Sequence, residues 1–485
     1  MFISEKHLSE CDVMSKGASI NPRLLLNEQR YDVIIKYVVA LFFKNGFCHE
    51  SLPRRIKDIY IEHIKIVTEG KFSELSSSKK TADEYLYRFY ELYNNIKESG
   101  FQNELGAIPL ANNDTIINGA HRLAVALVLD IESIPVLKLD IAPLKYSESF
   151  FIKSGLPQQE LDFVNILFSD VYQGAYIACL WPSVKHNLDK VKTILGPRVV
   201  SYREIEFTEV GKKNLLLQLY PYESWIGNPG NGFSGLNNKI LPCFKNGENA
   251  QFILFINDSL EQVLKLKDKV RSLHSNGKHS IHITDTKNEV NILSRLIFSL
   301  ETQKIMDVAV PWTFPSFYEE ISKLANSSYK KGIVLVGSSS LGILGKRLPS
   351  DVDYLNISSN SETKSNLLSL SDAFSEHLTE KRYYAPDCID KFSVGYDVYY
   401  FLGVSFASLN IIVDMKTKRS EAKDIDDVTM LMPYCKKSTS RIDKLANRFL
   451  KVKAKVRWTL LDMLKFLGID LFVYTTYIKI KGFFK

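Results

Sequence analysis

The chain has 485 residues, 45% of them hydrophobic and 24% charged, with a formal net charge of +7. That length exceeds what one hydrophobic core serves, and the composition excludes a disordered or collagen-like chain. The charge argues little for nucleic acid, because residues 441–485 hold eleven Lys/Arg against three Asp and the remainder is close to neutral.

Six cysteines (Cys11, Cys48, Cys179, Cys243, Cys388 and Cys435) lie far apart with no CxxC. The spacing disfavours a disulfide framework or a cysteine zinc site and fits a reducing cytoplasm. The first residues lack a basic segment followed by a long apolar core, and no run of 18 residues is apolar enough to span a bilayer, so a cytoplasmic protein is expected. We expect a multidomain chain of mixed α+β and α/β character, with some three domains.

Residues 1–79 read as a helical region, with Tyr31–Phe43 as an apolar helix. Thr81-Ala-Asp-Glu84 is a capping box opening a helix that carries Tyr85, Phe89, Leu92 and Ile96 at helical spacing and stops near Gly100. Next come Ile108-Pro-Leu110, then Gly119-Ala-His121-Arg122 before a helix from Leu123, and then the strand Ile134–Leu139. This succession, over residues 80–150, resembles the ParB/sulfiredoxin-type domain. The resemblance implies that Gly119, His121 and Arg122 lie near a bound nucleotide or phosphate; capping and pairing at the helix start is the plainer alternative. Ala120 stands where sulfiredoxin has its cysteine, which disfavours reductase chemistry.

Residues 160–310 read as a central α/β domain. Ala175–Trp181, Phe252–Ile256 and Ser280–Ile283 are its strands, and helices follow over 258–273 and 286–302. The glycine-rich segment from Tyr222 to Gly235, with Glu223, Trp225 and Phe233, reads as a functional loop or an ordinary connection. The Glu-Ser-Trp loop and the His-Ile-Thr-Asp strand end look like a module of bacterial capsule and lipopolysaccharide biosynthesis proteins. His279 and His282 are three apart on an apparent strand and point to opposite faces, so a metal site there is disfavoured.

The chemistry concentrates in residues 315–435. The apolar run Ile333–Val336 ends in Gly337-Ser338, and thirteen residues after that serine stands Asp351-Val-Asp353. Alternation places Asp351 and Asp353 on one face of a strand, where two carboxylates can share a hard cation that also holds phosphates. This pattern resembles the DNA polymerase β-like nucleotidyltransferase superfamily. The resemblance implies that Gly337 and Ser338 hold a nucleoside triphosphate while Asp351 and Asp353 bind Mg²⁺. A third carboxylate is then needed from a neighbouring strand. Asp397, within Val394–Phe401, takes that position; Asp414 is the rival, and a missing third carboxylate would leave a domain that binds nucleotide without transferring it. Lys416, with Arg419 and Lys423, is a candidate phosphate ligand or part of a solvated helix face.

Residues 436–485 read as a basic amphipathic tail. Its 449–485 stretch suits an anionic membrane surface, though it suits packing on the protein itself as well. The expected activity is Mg²⁺-dependent nucleotidyl transfer to an unknown hydroxyl or phosphate acceptor, a phosphosugar or lipid-linked saccharide, in surface polysaccharide synthesis. The alternatives are a ParB-like, nucleotide-gated DNA-associated regulator and a non-catalytic scaffold. Nucleic acid is disfavoured as a partner, since no basic recognition helix stands out after residue 145.

Overall fold

A computed structural model describes residues 13–435, apart from residues 71, 73–78, 103–104, 248, 359–366 and 368. The basic tail expected at 436–485 lies outside the described residues. The chain divides into two compact units, one of residues up to Gly227 with Ser234–Asp307, and one of Asn228–Phe233 with the residues from Val308 onward. Helices and three small sheets share the chain, giving it α+β character. Among the described residues no helix is long and apolar enough to cross a membrane.

The first unit carries two of the sheets. In the smaller one, β1 (Val13–Ile20) pairs antiparallel with β3 (Ile134–Leu139), and β2 (Ile108–Leu110) lies parallel on the other side of β3. Residues 13–20 therefore form a strand inside the stretch read above as helical. The partner of β1 lies more than a hundred residues away, so no local pattern announces it. The helix Tyr31–Lys44 is buried nearly all round, and Tyr31 Oη donates to Leu161 O at 3.0 Å and meets Asn165 Oδ1 at 2.9 Å. The Thr81 capping box forms as expected, with Glu84 N donating to Thr81 Oγ1 at 3.2 Å and Thr81 N donating to Glu84 Oε2 at 3.3 Å.

The second sheet of this unit is antiparallel throughout, in the order β5 (Val199–Glu206), β6 (Asn249–Ile256), β4 (Ala175–Leu180), β7 (Ile281–Ile283). It shares a unit with the 80–150 region. A charged knot ties helices Glu148–Lys153 and Gln158–Val171 to β5: Arg203 bridges Glu148 at 2.6 Å and Asp162 at 2.5 Å. Burial lifts the Asp162 carboxyl to about 6 although Arg203 pulls it down. His279 lies in a 3₁₀ turn ahead of β7 rather than on the strand, while His282 contacts Tyr220 Oη at 3.2 Å.

The other unit is built on a five-stranded sheet in the order β10 (Phe374–Glu376), β9 (Val352–Asn356), β8 (Ile333–Leu335), β12 (Val404–Ala407), β11 (Val398–Phe401). The central β8 is apolar at every position and fully buried, as a strand covered on both faces must be. It runs antiparallel to β9 and parallel to β12. β11 and β12 form a hairpin with the two-residue turn Leu402-Gly403, both at positive φ (52° and 73°), the geometry that matches strand twist. The rings of Tyr399 and Phe406 stack across this hairpin at 5.1 Å.

Candidate active site

The chain leaves β8 through Val336, whose N–H donates to Asp353 O at 2.8 Å, and turns at Gly337 with φ of +63°. Only glycine adopts that conformation without strain. A Cβ at this position would also fall on the Asp353 carboxylate, so the turn and the aspartate pack as one piece. Ser338 follows, buried, at the N-cap of the short helix Ser339–Ile343. The Gly-Ser and Asp-x-Asp elements, separate in sequence, meet at one end of the sheet.

Asp351 and Asp353 open into a polar cavity of about 340 Å³. Ser338, Arg347, Ser375, His377, Thr379 and Glu380 line it, together with the helix residues Lys416, Arg419 and Lys423. Burial first, and the neighbouring Asp351 carboxylate second, raise the Asp353 carboxyl to about 7, against the pull of Lys416 and Arg419. A buried carboxylate destabilised by a like charge is a site that a cation relieves.

His377 closes over Asp353. β10 runs parallel to β9 with Ser375 opposite Asp353, and His377 N donates to Tyr354 O at 2.9 Å. The register brings His377 Nε2 to 3.4 Å from Asp353 Oδ2, while its Nδ1 lies 3.3 Å from the Tyr384 hydroxyl. Burial lowers the imidazole to about 4, so it is neutral at physiological pH.

The cationic side is braced from behind. Asp424 and Asp427, both buried, sit on the helix Ala422–Leu431. Lys416 Nζ lies 3.2 Å from Asp424 and 2.7 Å from Asp427. Arg419 grips Asp424 with Nε at 2.9 Å and Nη2 at 2.7 Å, and Arg347 grips Asp427 with both contacts at 2.8 Å. Two carboxylates thus hold three cations, and Glu421 adds pairs with Arg419 at 3.6 Å and Lys423 at 3.4 Å. Hydrogen bonds from Arg419 hold the Asp424 carboxyl below the usual carboxylate range despite its burial.

Lys416 is therefore a member of a buried charge cluster that also borders the cavity. Arg347, His377, Glu380, Asp424 and Asp427 belong to the site without having been singled out for it. The spacing Lys423-Asp424-Ile-Asp426-Asp427 carried the signal for the last two, since i and i+3 share a helix face.

The structure does not bring Asp397 to the pair. It lies just ahead of β11, exposed, with φ of +56° and its carbonyl accepting from Ser408 N at 2.7 Å. β11 is the outer strand of the hairpin, three places from β9, which at about 4.8 Å per strand sets Asp397 roughly 14 Å across the sheet. Asp414, the rival, is half exposed and pairs with Lys418 at 2.6 Å on the helix Leu409–Arg419. Among the described residues no group of three or more His, Cys, Asp or Glu side chains is placed to hold a metal ion. The two-aspartate pair still fits Mg²⁺, which commonly takes one or two protein carboxylates and completes its shell with phosphate oxygens and water.

In the first unit, Gly119 adopts φ of +85° ahead of the helix Ala120–Val128. Arg122 folds back over it and donates to the carbonyls of Leu105 and Gly106. His121 Nε2 meets Tyr60 Oη at 2.9 Å and its ring abuts Phe89 at 4.5 Å; burial holds it well below the usual imidazole range. These contacts tie the turn into the fold, as the capping-and-pairing alternative requires.

Comparison of the chain with protein-family models, with curated proteins and with solved structures finds no match.

Proposed function

We propose that the unit built on β8–β12 is a Mg²⁺-dependent nucleotidyltransferase that works in surface polysaccharide synthesis. The observation that carries this reading is a polar cavity in which Asp351 and Asp353 meet the Gly337-Ser338 turn and braced cationic side chains. Asp351 and Asp353 would hold the metal, which supplies charge neutralisation for a triphosphate and makes an acceptor hydroxyl easier to ionise. Arg347, Arg419 and Lys423 would take phosphate oxygens, and the glycine turn lets Asp353 sit hard against the backbone. In the transfer, an acceptor oxygen forms a bond to the α-phosphorus, the bond from that phosphorus to the bridging oxygen breaks, and pyrophosphate leaves with release of the acceptor proton.

Ser375, Thr379 and Glu380 line the same cavity as the cationic residues. Hydroxyls and a carboxylate suit a neutral, hydroxyl-bearing acceptor better than a phosphate, which supports a saccharide hydroxyl over a phosphate acceptor.

The position of Asp397 favours a second reading, in which the cavity binds Mg²⁺ and nucleotide without catalysing transfer. The two readings part on pyrophosphate release. The full-length protein is incubated with each nucleoside triphosphate, Mg²⁺ and a mixed saccharide extract. Metal-dependent pyrophosphate that disappears in Asp351→Ala supports the enzyme. Tight Mg²⁺–nucleotide binding with no pyrophosphate supports the binder.

A further inference from the structure

A second cavity, of about 420 Å³, lies in the first unit, where the C-terminal ends of three helices converge. Leu41 and Lys44 come from the helix Tyr31–Lys44, Leu127 and Val128 from Ala120–Val128, and Val171 from Gln158–Val171. Tyr176 of β4 and Asn257, just after β6, also line it. Its volume is that of a small-molecule site.

Tyr37 and Tyr172 form its aromatic part. Tyr172 stacks on Phe168 at 4.8 Å and meets Tyr37 edge-on at 5.7 Å, which fixes both rings. Tyr172 is 6% exposed, yet its hydroxyl has no hydrogen-bond partner among the described residues. After burial, the charges that act most on that hydroxyl are those of Arg23 and Asp258, both of which line the cavity, so the hydroxyl points toward it. Burial raises both phenols, and each keeps its proton at physiological pH. A buried hydroxyl left unpaired costs free energy that a partner supplied from the cavity recovers.

The charges of the lining select against an ionic ligand. Two cations, Arg23 and Lys44, balance two carboxylates, Asp130 and Asp258, and all four are already paired. Arg23 and Lys44 lie 3.1 and 3.6 Å from Asp130, and Asp258 pairs with Arg198 at 2.7 Å. Helix C-termini carry partial negative charge and present carbonyl acceptors, which disfavours a phosphate and suits hydroxyl donors. A phenol both donates and accepts, as a sugar hydroxyl does. Leu41, Leu127 and Val128, all buried, offer apolar surface for the C–H face of a sugar ring.

We infer that this cavity binds a neutral mono- or disaccharide, with the Tyr172 hydroxyl as its buried hydrogen-bonding anchor. It shares no lining residue with the cavity of Asp351 and Asp353, and the inference does not depend on the reading of those aspartates.

The test titrates free glucose, galactose, mannose and N-acetylglucosamine into the full-length protein, read by saturation-transfer difference NMR. Adenosine, tyrosine and glycerol phosphate serve as nucleoside, zwitterion and anion probes. At least one of the sugars should bind. Tyr172→Phe, which keeps the ring and its stacking, should weaken that sugar roughly 3- to 10-fold. Its unfolding midpoint should be unchanged or raised, because the change deletes a hydroxyl with no partner. Val171→Trp, exposed at the end of its helix, should fill the cavity and abolish binding. If the Trp variant does not fold, Tyr172→Phe carries the test alone. Asp351→Ala/Asp353→Ala should bind the sugar as the wild type does. No binding by any of the sugars, preference for one of the other probes, or wild-type sugar affinity in folded Tyr172→Phe or Val171→Trp overturns the inference. Sugar binding lost in the double aspartate variant overturns it too, since the sugar then sits as acceptor beside Asp351 and Asp353.

Discussion

Gly337 and Asp353 occupy each other's space: the carboxylate of the aspartate lies where the Cβ of any other residue at 337 would be, and the backbone there has φ of +63°. Gly337→Ala is therefore expected to fail twice, by left-handed strain and by displacing the carboxylate. We expect a loss of roughly 1–3 kcal/mol in denaturant unfolding. Stabilisation by Mg²⁺ with nucleotide should disappear along with it. A variant with wild-type nucleotide response would show that the carboxylate need not sit where it does.

The raised Asp353 carboxyl, at about 7, makes stability depend on pH. Its folded-state value lies above the unfolded one, so the folded state is favoured at low pH and gives up stability as pH rises from about 4 to about 7. Asp353→Asn removes that penalty. The variant should gain on the order of 2–3 kcal/mol over wild type between pH 5 and pH 8, measured from urea midpoints. Mg²⁺ should stabilise the wild type more at pH 8 than at pH 6, because it competes with the proton, and should do neither to the Asn variant. An equal gain at both pH values would mean that the carboxylate is not strained as described.

The braced cationic wall predicts a split between stability and binding. Asp427→Ala leaves Lys416, 1% exposed, without its 2.7 Å partner and frees Arg347. Removing one member of a buried charge cluster costs about 3–5 kcal/mol. Lys423 is largely exposed and meets only Glu421 at 3.4 Å among its ion pairs. Lys423→Ala should change stability by less than about 0.5 kcal/mol yet weaken pyrophosphate binding several-fold. Isothermal titration with Mg²⁺-pyrophosphate checks both variants. Unaltered affinity in Lys423→Ala would place the phosphates elsewhere.

What could be read from the residues was what local spacing encodes. The apolar run into Gly337 and the Thr81 capping box depend on neighbours a few residues apart and took the expected form, whereas of the two alternating aspartates only Asp353 lies in the strand and Asp351 sits in the bend just before it. Asp397 shows where that stops. Its strand alternates as a good strand should, but the Leu402-Gly403 turn folds β12 against β8 and leaves β11 outside. Alternation tells which face a side chain takes and nothing of which strand lies beside which. His377 was invisible for the same reason, since only the parallel pairing of β10 with β9 carries it to Asp353. Strand β1 escaped because its partner β3 is remote in sequence.

Arg122 shows the limit of a motif. The Gly-x-His-Arg turn suggested an anion site, and the guanidinium instead holds the carbonyls of Leu105 and Gly106. Arg122→Ala should cost about 0.5–1.5 kcal/mol through loss of those two hydrogen bonds, since water can reach the freed carbonyls. It should leave the nucleotide response of the whole protein unchanged. A lost nucleotide response with an intact unfolding midpoint would return this turn to a phosphate-binding role.

The most direct test of the central claim is a thermal-shift titration of the full-length protein with ATP, CTP, GTP and UTP, with and without Mg²⁺, repeated on Asp351→Ala/Asp353→Ala. A ligand at a hundred times its Kd adds about 2.7 kcal/mol, well within what the method resolves. The account predicts a shift with at least one nucleotide that requires Mg²⁺ and is lost in the double variant. A shift that survives the double variant, or no shift with any of the four, would contradict it.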